Sequence, residues 1–268
     1  MITILPLDII GRGRMGTALA AALSAAGVPV RGPMPRGADA NGAAIVLLCV
    51  PDREIATASA LLSPGAIVGH VSASADLALL APHERFVMHP LLSVTGADAD
   101  FASATAAIDG STVRALAVAR ALATTLGMRP REVPAELRAL YHAAASAASN
   151  YLVTLEAMAE ALAAPVGLDR SAFVPLVRAT VDSWAKHGAR ESLTGPIVRG
   201  DLDTERRQRA AVAHHMPALV PLWDALAAAT HALAAQPASR SVPTSDASDA
   251  LSPGVHATTA ALPRGDWP

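Results

Sequence analysis

Over residues 1–133, short runs of β-branched and aliphatic residues alternate with alanine-rich segments that carry helical spacing. That alternation is the pattern of a parallel sheet covered by helices. The spacing predicts strands near Asp8–Ile10, Val28–Arg31, Ala44–Val50, Ala66–Val71, Arg85–Met88, Ala106–Ile108 and Arg129–Val133. After "REVP" the pattern changes, and residues 134–235 show long helical periodicity with no strand signal. Pro134 suits the entrance to that region, because proline is tolerated in a first helical turn. From Gln236 to the end the chain is rich in Pro, Ser, Thr, Ala and Asp without periodicity, and reads as a disordered tail over 236–268. The expected architecture is therefore α/β: a doubly wound parallel sheet of the Rossmann type followed by an all-helical C-terminal domain.

Composition adds an expectation of assembly. Hydrophobic residues make up 52% and charged residues 16% of the 268, below the roughly 25% charged share usual for soluble domains. Much of the surface must then be buried or turned towards another subunit. With aromatics at only 3%, the core must be filled by Ala, Val, Leu and Ile. The formal net charge of -2, with no long basic run, argues against a nucleic-acid surface. The single cysteine, Cys49, lies inside "AAIVLLCV" and reads as a buried reduced thiol. A start without a basic region, and no apolar stretch near the roughly 20 residues that span a bilayer, point to a cytoplasmic protein without a membrane segment.

The sharpest chemical signal is "LDIIGRGRMGTALAAAL", where Gly11, Gly13 and Gly16 form G-x-G-x-x-G between a strand and a helix. Gly11 makes the tight turn, Gly13 lets the backbone approach a pyrophosphate, and Gly16 lets helix and strand pack closely. The intervening Arg12, Arg14 and Met15 sit on the same turn, and the helix that follows begins with free amides and a positive dipole end. About 20 residues on, where an acid would accept a ribose 2′-hydroxyl, stands Arg31, with Arg36 beyond it and no acid before Asp39. That pocket suits a 2′-phosphate. Charge-assisted hydrogen bonds of about 1.5 to 3 kcal/mol would favour NADP over NAD by roughly ten- to a hundredfold.

Ligands of an open parallel sheet collect beyond the carboxyl ends of its strands, so polar residues just after strands are the candidates for chemistry. Val50, Pro51 and Asp52 follow the third strand, Asp52 being a first-turn acid or a neighbour of the cofactor ribose. His70, Ser72 and Ser74 follow the fourth, and His89, Pro90 and Ser93 the fifth. A histidine such as His89 can supply a proton to an oxygen or nitrogen that gains charge during hydride transfer. On "YHAAASAASNYLVTL", His142, Ser146, Ser149 and Asn150 recur at i, i+4, i+7 and i+8, a polar face on an otherwise apolar helix. Tyr141, Ala145, Ala148 and Leu152 form a neighbouring, mostly apolar face. In "ESLTGPIVRGD", Thr194, Gly195 and Pro196 break the helical run, and Arg199 can clamp a carboxylate or pair with Asp201. His214 and His215 are adjacent and should point to different sides of a helix, and no other metal-ligand spacing occurs, so no metal is expected.

Taken together, "GRGRMGTALAAAL", "VPDREI", "HVSAS", "HPLLSV", "YHAAASAASNYLVTL" and "LTGPIVRGD" resemble Rossmann-like proteins whose helical C-terminal domain is known as domain of unknown function 2520. The resemblance covers residues 7 to about 235. It implies a relative of the 6-phosphogluconate dehydrogenase-like reductases, which include pyrroline-5-carboxylate reductase, prephenate dehydrogenase and ketopantoate reductases. Such proteins hold NADP in the N-terminal domain and usually dimerise through the helical one. Carried over by position, Gly11, Gly13, Gly16, Arg31 and Pro51 would belong to the cofactor site, and Ser72, His89, His142, Asn150, Thr194 and Arg199 would surround nicotinamide and substrate. One departure stands out: some branches place a catalytic lysine four residues before the asparagine, where this chain has Ser146.

The expectation is an NADPH-dependent reductase of a small oxo acid or imine, with ketopantoate-like acids first. His142 or His89 would be the proton donor, and Asn150, Thr194 and Arg199 the orienting groups. The alternative from another class is a dinucleotide-binding sensor or structural subunit without catalysis; prephenate dehydrogenase-like chemistry rests only on "HP" after the fifth strand.

Overall fold

The computed structural model describes residues 6–237. Seven strands form one sheet: β1 (Leu7–Ile10), β2 (Val30–Met34), β3 (Ile45–Leu48), β4 (Ile67–His70), β5 (Glu84–Pro90), β6 (Thr105–Gly110) and β7 (Arg129–Glu132). Each overlaps one of the runs singled out in the sequence. The nine α-helices of the described residues are α1 (Arg14–Ala25), α2 (Ile55–Ala60), α3 (Val113–Thr125), α4 (Arg138–Ser146), α5 (Leu152–Ala163), α6 (Arg170–His187), α7 (Pro196–Arg199), α8 (Leu202–His215) and α9 (Val220–Ala234).

The strand order is β2-β1-β3-β4-β5-β6-β7. Every residue of β1, β3 and β4 is buried, because helices cover both faces. Leu7, Ile9, Ile45 and Leu47 face Leu19 and Leu23 of α1 and Ala119 and Leu122 of α3. Ile10, Val46, Leu48 and Val68 face Ile55 and Ala58 of α2 and Leu80 of a 3-10 turn. The sheet is thus doubly wound. Gly69 of β4 makes room for one of the few aromatic rings: a β-carbon there would lie 2.3 Å from the Phe86 ring of β5. Cys49 belongs to the first of these clusters, and burial pushes its thiol up to about 12, which keeps it protonated.

The sheet departs from the expected all-parallel arrangement at one place. β5 and β6 pair antiparallel, Pro90 opposite Ala106 and Phe86 opposite Gly110, and β7 runs parallel to β6. The segment between β5 and β6 contains no helix to carry the chain back across the sheet, so β6 starts beside the end of β5. From β1 the chain moves outward to β2, then crosses to β3 on the other side. The strand order therefore reverses between β1 and β3, where an open α/β sheet leaves a crevice beyond its carboxyl edge.

The chain divides into two compact units between Ala157 and Met158. The first holds the sheet, α4 and the start of α5. The second is helical: Asp169 caps α6 by accepting from the Ser171 amide at 2.8 Å, and Asp201 caps α8 by accepting from Thr204 at 3.0 Å. Within it, Arg209 of α8 grips both carboxylate oxygens of Asp224 on α9 at 2.8 and 2.7 Å. The tail expected over 236–268 lies, after Pro237, outside the described residues. No helix of the described residues is long and apolar enough to cross a membrane.

Candidate active site at the carboxyl edge of the sheet

Two of the three motif glycines are explained by the chain's own packing. Gly11 has φ +121°, and a β-carbon on it would lie 2.2 Å from the Cys49 carbonyl oxygen. One on Gly16 would lie 1.9 Å from the Gly11 carbonyl oxygen. Gly13 differs: it is exposed, its φ of -75° is open to any residue, and nothing lies within 4 Å of where a β-carbon would be. Gly13 also opens α1, a 12-residue helix with no side-chain cap and no acid in its first turn. Its leading amides and positive dipole end are left uncompensated beside open space, a cradle that fits a phosphate.

The basic residues around the cradle are engaged to different degrees. Arg31 directs Nε and Nη2 at the two carboxylate oxygens of Asp8, both at 2.6 Å. Asp8 is fully buried in β1, so the guanidinium is what lets a carboxylate sit there. Arg31 also stands three residues before the end of β2, whereas Arg36 follows that end. Arg36 reaches Glu54 at 2.9 Å with 61% of its side chain exposed, and Arg12 donates from Nε to the Pro33 carbonyl at 3.3 Å. Arg14 is exposed at the start of α1, and Met15 is half-buried.

After β3, Val50 is buried and Asp52 opens a 3-10 turn behind Pro51. The Asp52 carboxylate accepts from the Ser72 hydroxyl at 2.8 Å and the Ser74 hydroxyl at 3.0 Å. Ser72 Oγ in turn accepts from the amides of Ser74 and Ala75, at 3.2 and 3.0 Å. This pins the loop after β4 to the turn after β3. The Ser72 amide donates to His70 Nδ1 at 3.2 Å, so the neutral ring carries its proton on Nε2. His70 is fully buried and its Nε2 has no hydrogen-bond partner. Burial first, then Arg138, pushes the His70 pKa down to about 4, against the pull of Asp52 and Asp76.

His89, near the end of β5, meets a partner that the sequence had placed on the apolar side of a helix. Its Nδ1 lies 2.8 Å from the Tyr141 hydroxyl of α4, with the two rings edge-on at 87°. Burial and then the neighbouring His142 push the His89 pKa down to about 4, partly offset by Asp52, and burial pushes the Tyr141 phenol up to about 12. Both groups are neutral near pH 7. His142 is exposed. Arg138, in the first turn of α4, is buried, donates to the Ala75 carbonyl at 3.2 Å and pairs with Asp109 of β6. It fastens α4 to both the serine loop and the sheet. Arg138→Met is expected to lower stability by about 3 kcal/mol, since it strands Asp109, which is one-third exposed and partly rehydrated. Urea unfolding followed by circular dichroism measures the loss.

The polar stripe expected from His142 to Asn150 does not run along one uninterrupted α-helix. Ala147–Tyr151 is a π-turn, whose i→i+5 pairing breaks the 3.6-residue spacing between α4 and α5. Ser146 is half-buried, whereas Ser149 and Asn150 are exposed. The Asn150 carbonyl accepts from Thr154 at 3.1 Å. Thr194 and Arg199 belong to the helical unit, Thr194 ahead of α7 and Arg199 as its last residue. There Asp201 is held below the usual carboxylate range first by the Thr204 hydroxyl and amide, and further by Arg207 and Arg199. At the end of α8 the rings of His214 and His215 lie edge-on, 4.6 Å apart, so adjacency does not separate them. Among the described residues no three His, Cys, Asp or Glu side chains gather as a metal site would require.

Residues 104–230 match the family model described as Domain of unknown function (DUF2520). A comparison with curated proteins finds no match. Among solved structures, a protein of Bacteroides fragilis named as a putative NADP oxidoreductase has a TM-score of 0.73 at 21% identity, over 87% of this chain and 100% of that one. A protein of Thermotoga maritima gives 0.72 at 21% identity, over 85% of this chain and 98% of that one. The reductive aminase of Aspergillus terreus, solved with NADPH and ethyl levulinate, gives 0.62 at 16% identity, over 86% and 95%. At these identities the likeness is one of fold.

Proposed function

From the Rossmann-type sheet and the match of residues 104–230 to the DUF2520 model, we propose that the chain is an NADP-dependent oxidoreductase acting on a small oxo acid or imine, ketopantoate-like acids being the first candidates. The observation that carries this reading is the open space over Gly13 at the bare amino end of α1, beside the place where the strand order reverses. The named NADP oxidoreductase and the NADPH-bound reductive aminase of the same fold support it.

In this reading the amides from Gly11 to Gly16 hold the pyrophosphate, and Val50, Pro51 and Asp52 border the ribose. Arg12 and Arg36, the less engaged cations near the end of β2, bind the 2′-phosphate, and Arg31 contributes only the part of its fork that Asp8 leaves over. The nicotinamide supplies the hydride. The atom that gains charge accepts a hydrogen bond from the neutral His89 ring, as a neutral imidazole can give, and His142 beside it supplies the proton. Ser72 and Asp52 hold the serine loop next to this pair. Asn150, at the π-turn of the first unit, keeps the orienting role assigned from the sequence.

The test is titration with NADPH and NADH, followed by turnover on a panel of 2-oxo acids and cyclic imines. Tighter binding of NADPH, with oxidation on at least one panel member, is the expected result. Binding without turnover across the panel would support the non-catalytic sensor instead. Arg12→Ala and Arg36→Ala should each raise the Kd for NADPH about tenfold and leave that for NADH unchanged, which fluorescence titration resolves.

The chain is further proposed to work as a homodimer through its helical part. On α6, Val174, Val181 and Trp184 stand exposed at i, i+7 and i+10, with Trp184 57% exposed, which is an apolar stripe of the kind that marks an interface. Light scattering should return twice the 27.3 kDa chain mass, and Trp184→Glu should shift it towards one.

A further inference from the structure

We propose that Tyr141 is the positioning residue of the site: its phenol donates to His89 Nδ1 and thereby locks His89 in the tautomer that carries its proton on Nε2. This deepens the reading above and rests on it for its catalytic meaning, but the hydrogen bond itself is a property of the protein without ligands.

The geometry comes first. Tyr141 Oη and His89 Nδ1 are 2.8 Å apart, and the rings meet edge-on with centroids 5.6 Å apart, so the hydroxyl lies at the rim of the imidazole where the nitrogen lone pair is. A neutral imidazole has one nitrogen that donates and one that accepts. A half-buried phenol needs an acceptor for its O–H, and its oxygen is the weaker acceptor because its lone pair is shared with the ring. The pairing that satisfies both groups is O–H to Nδ1. Nε2–H is then the donor that His89 has left to offer.

The phenol is also held in place. Tyr141 stands three residues after Arg138, on the same side of α4. Arg138 is fixed by the Ala75 carbonyl and by Asp109, so the segment that brings the hydroxyl to His89 is anchored to the sheet one turn away. Because burial makes tyrosinate costly, Tyr141 keeps its proton and orients the ring without passing the proton on.

The experiment is long-range 1H–15N correlation spectroscopy on the full chain labelled with 15N-histidine, without substrate or cofactor, the His89 signals being assigned by their absence in His89→Gln. Wild-type protein at neutral pH should show an unprotonated Nδ1 and a protonated Nε2. In Tyr141→Phe the ring should become a mixture of tautomers. A protonated Nδ1 in the wild type, or an unchanged spectrum in Tyr141→Phe, would overturn the proposal. The wild-type spectrum decides even if the variant does not fold. A locked tautomer without turnover on any substrate would remove the oxidoreductase reading and leave the Tyr141 assignment standing; turnover with a protonated Nδ1 would do the reverse.

Discussion

Gly13→Ala should leave the protein as stable as before and cut NADPH affinity by more than tenfold, while Gly16→Ala should damage the fold itself. The contrast follows from what each added methyl would meet. At Gly13 the backbone is already in a region that alanine adopts, and no protein atom lies within 4 Å. Loss of freedom in the unfolded chain favours alanine there by about 0.4 to 1 kcal/mol, and the poorer helix-capping of alanine works against that by a similar amount. The two offset, so the thermal midpoint should stay within a degree or two. The methyl would, however, stand where the phosphates must approach the helix end, and a displaced charge-assisted contact of about 1.5 to 3 kcal/mol is at least tenfold in affinity. At Gly16 the methyl would sit 1.9 Å from the Gly11 carbonyl oxygen, so α1 must move off β1, at a cost of about 3 kcal/mol or more. Calorimetry and NADPH fluorescence titration on the two variants separate the effects. A Gly13→Ala protein that binds NADPH as tightly as wild type would remove the phosphate cradle.

The positions of the strands and the packing tasks of Gly11 and Gly16 were legible because both are local. Strands buried on two faces stand out as unbroken aliphatic runs, and a turn, a close approach and a helix start follow from three spacings along one stretch. What escaped the sequence depends on register and on pairing across the fold. Asp8 gives no sign in "LDII" that it will meet Arg31, because the two are brought level only when β1 and β2 align. The acid that meets Arg31 lies before the glycine motif, not downstream of it. Tyr141 falls on a mostly apolar helix face although its hydroxyl tip is polar; a half-buried tyrosine that must satisfy its O–H is the available signal. The antiparallel β6 was hidden because its connection carries no pattern of its own. The π-turn was hidden because alanine, serine and asparagine suit an ordinary helix about as well. Arg138 is the instructive case: one charged residue at a helix start reads as solvated, yet it is the buried link between α4, the serine loop and β6.

Acid should destabilise this protein through His70 in a window between about pH 6.5 and pH 4. In the folded state the ring titrates near 4, held there mainly by burial and further by Arg138, with Asp52 and Asp76 pulling the other way. In the unfolded chain it titrates near the ordinary 6.5. Between those values the unfolded chain binds the proton and the folded one does not. The stability due to this group is therefore complete above about 6.5, falls as pH drops, and is gone below about 4. The difference corresponds to about 3 kcal/mol, a large share of the 5 to 15 kcal/mol that holds an ordinary domain together. His89, pushed down to about 4 by burial in the same way, adds a loss in this window, and carboxylates add one at lower pH, so the measurement is a comparison. His70→Asn keeps an acceptor for the Ser72 amide and carries no titrating ring. Its urea midpoint should fall less steeply than that of the wild type from pH 7.5 to 4.5, the two curves converging at the acid end. Parallel curves would mean that the buried ring is not what acid attacks, and that the loop joining Ser72 to Asp52 tolerates a charged histidine beneath it.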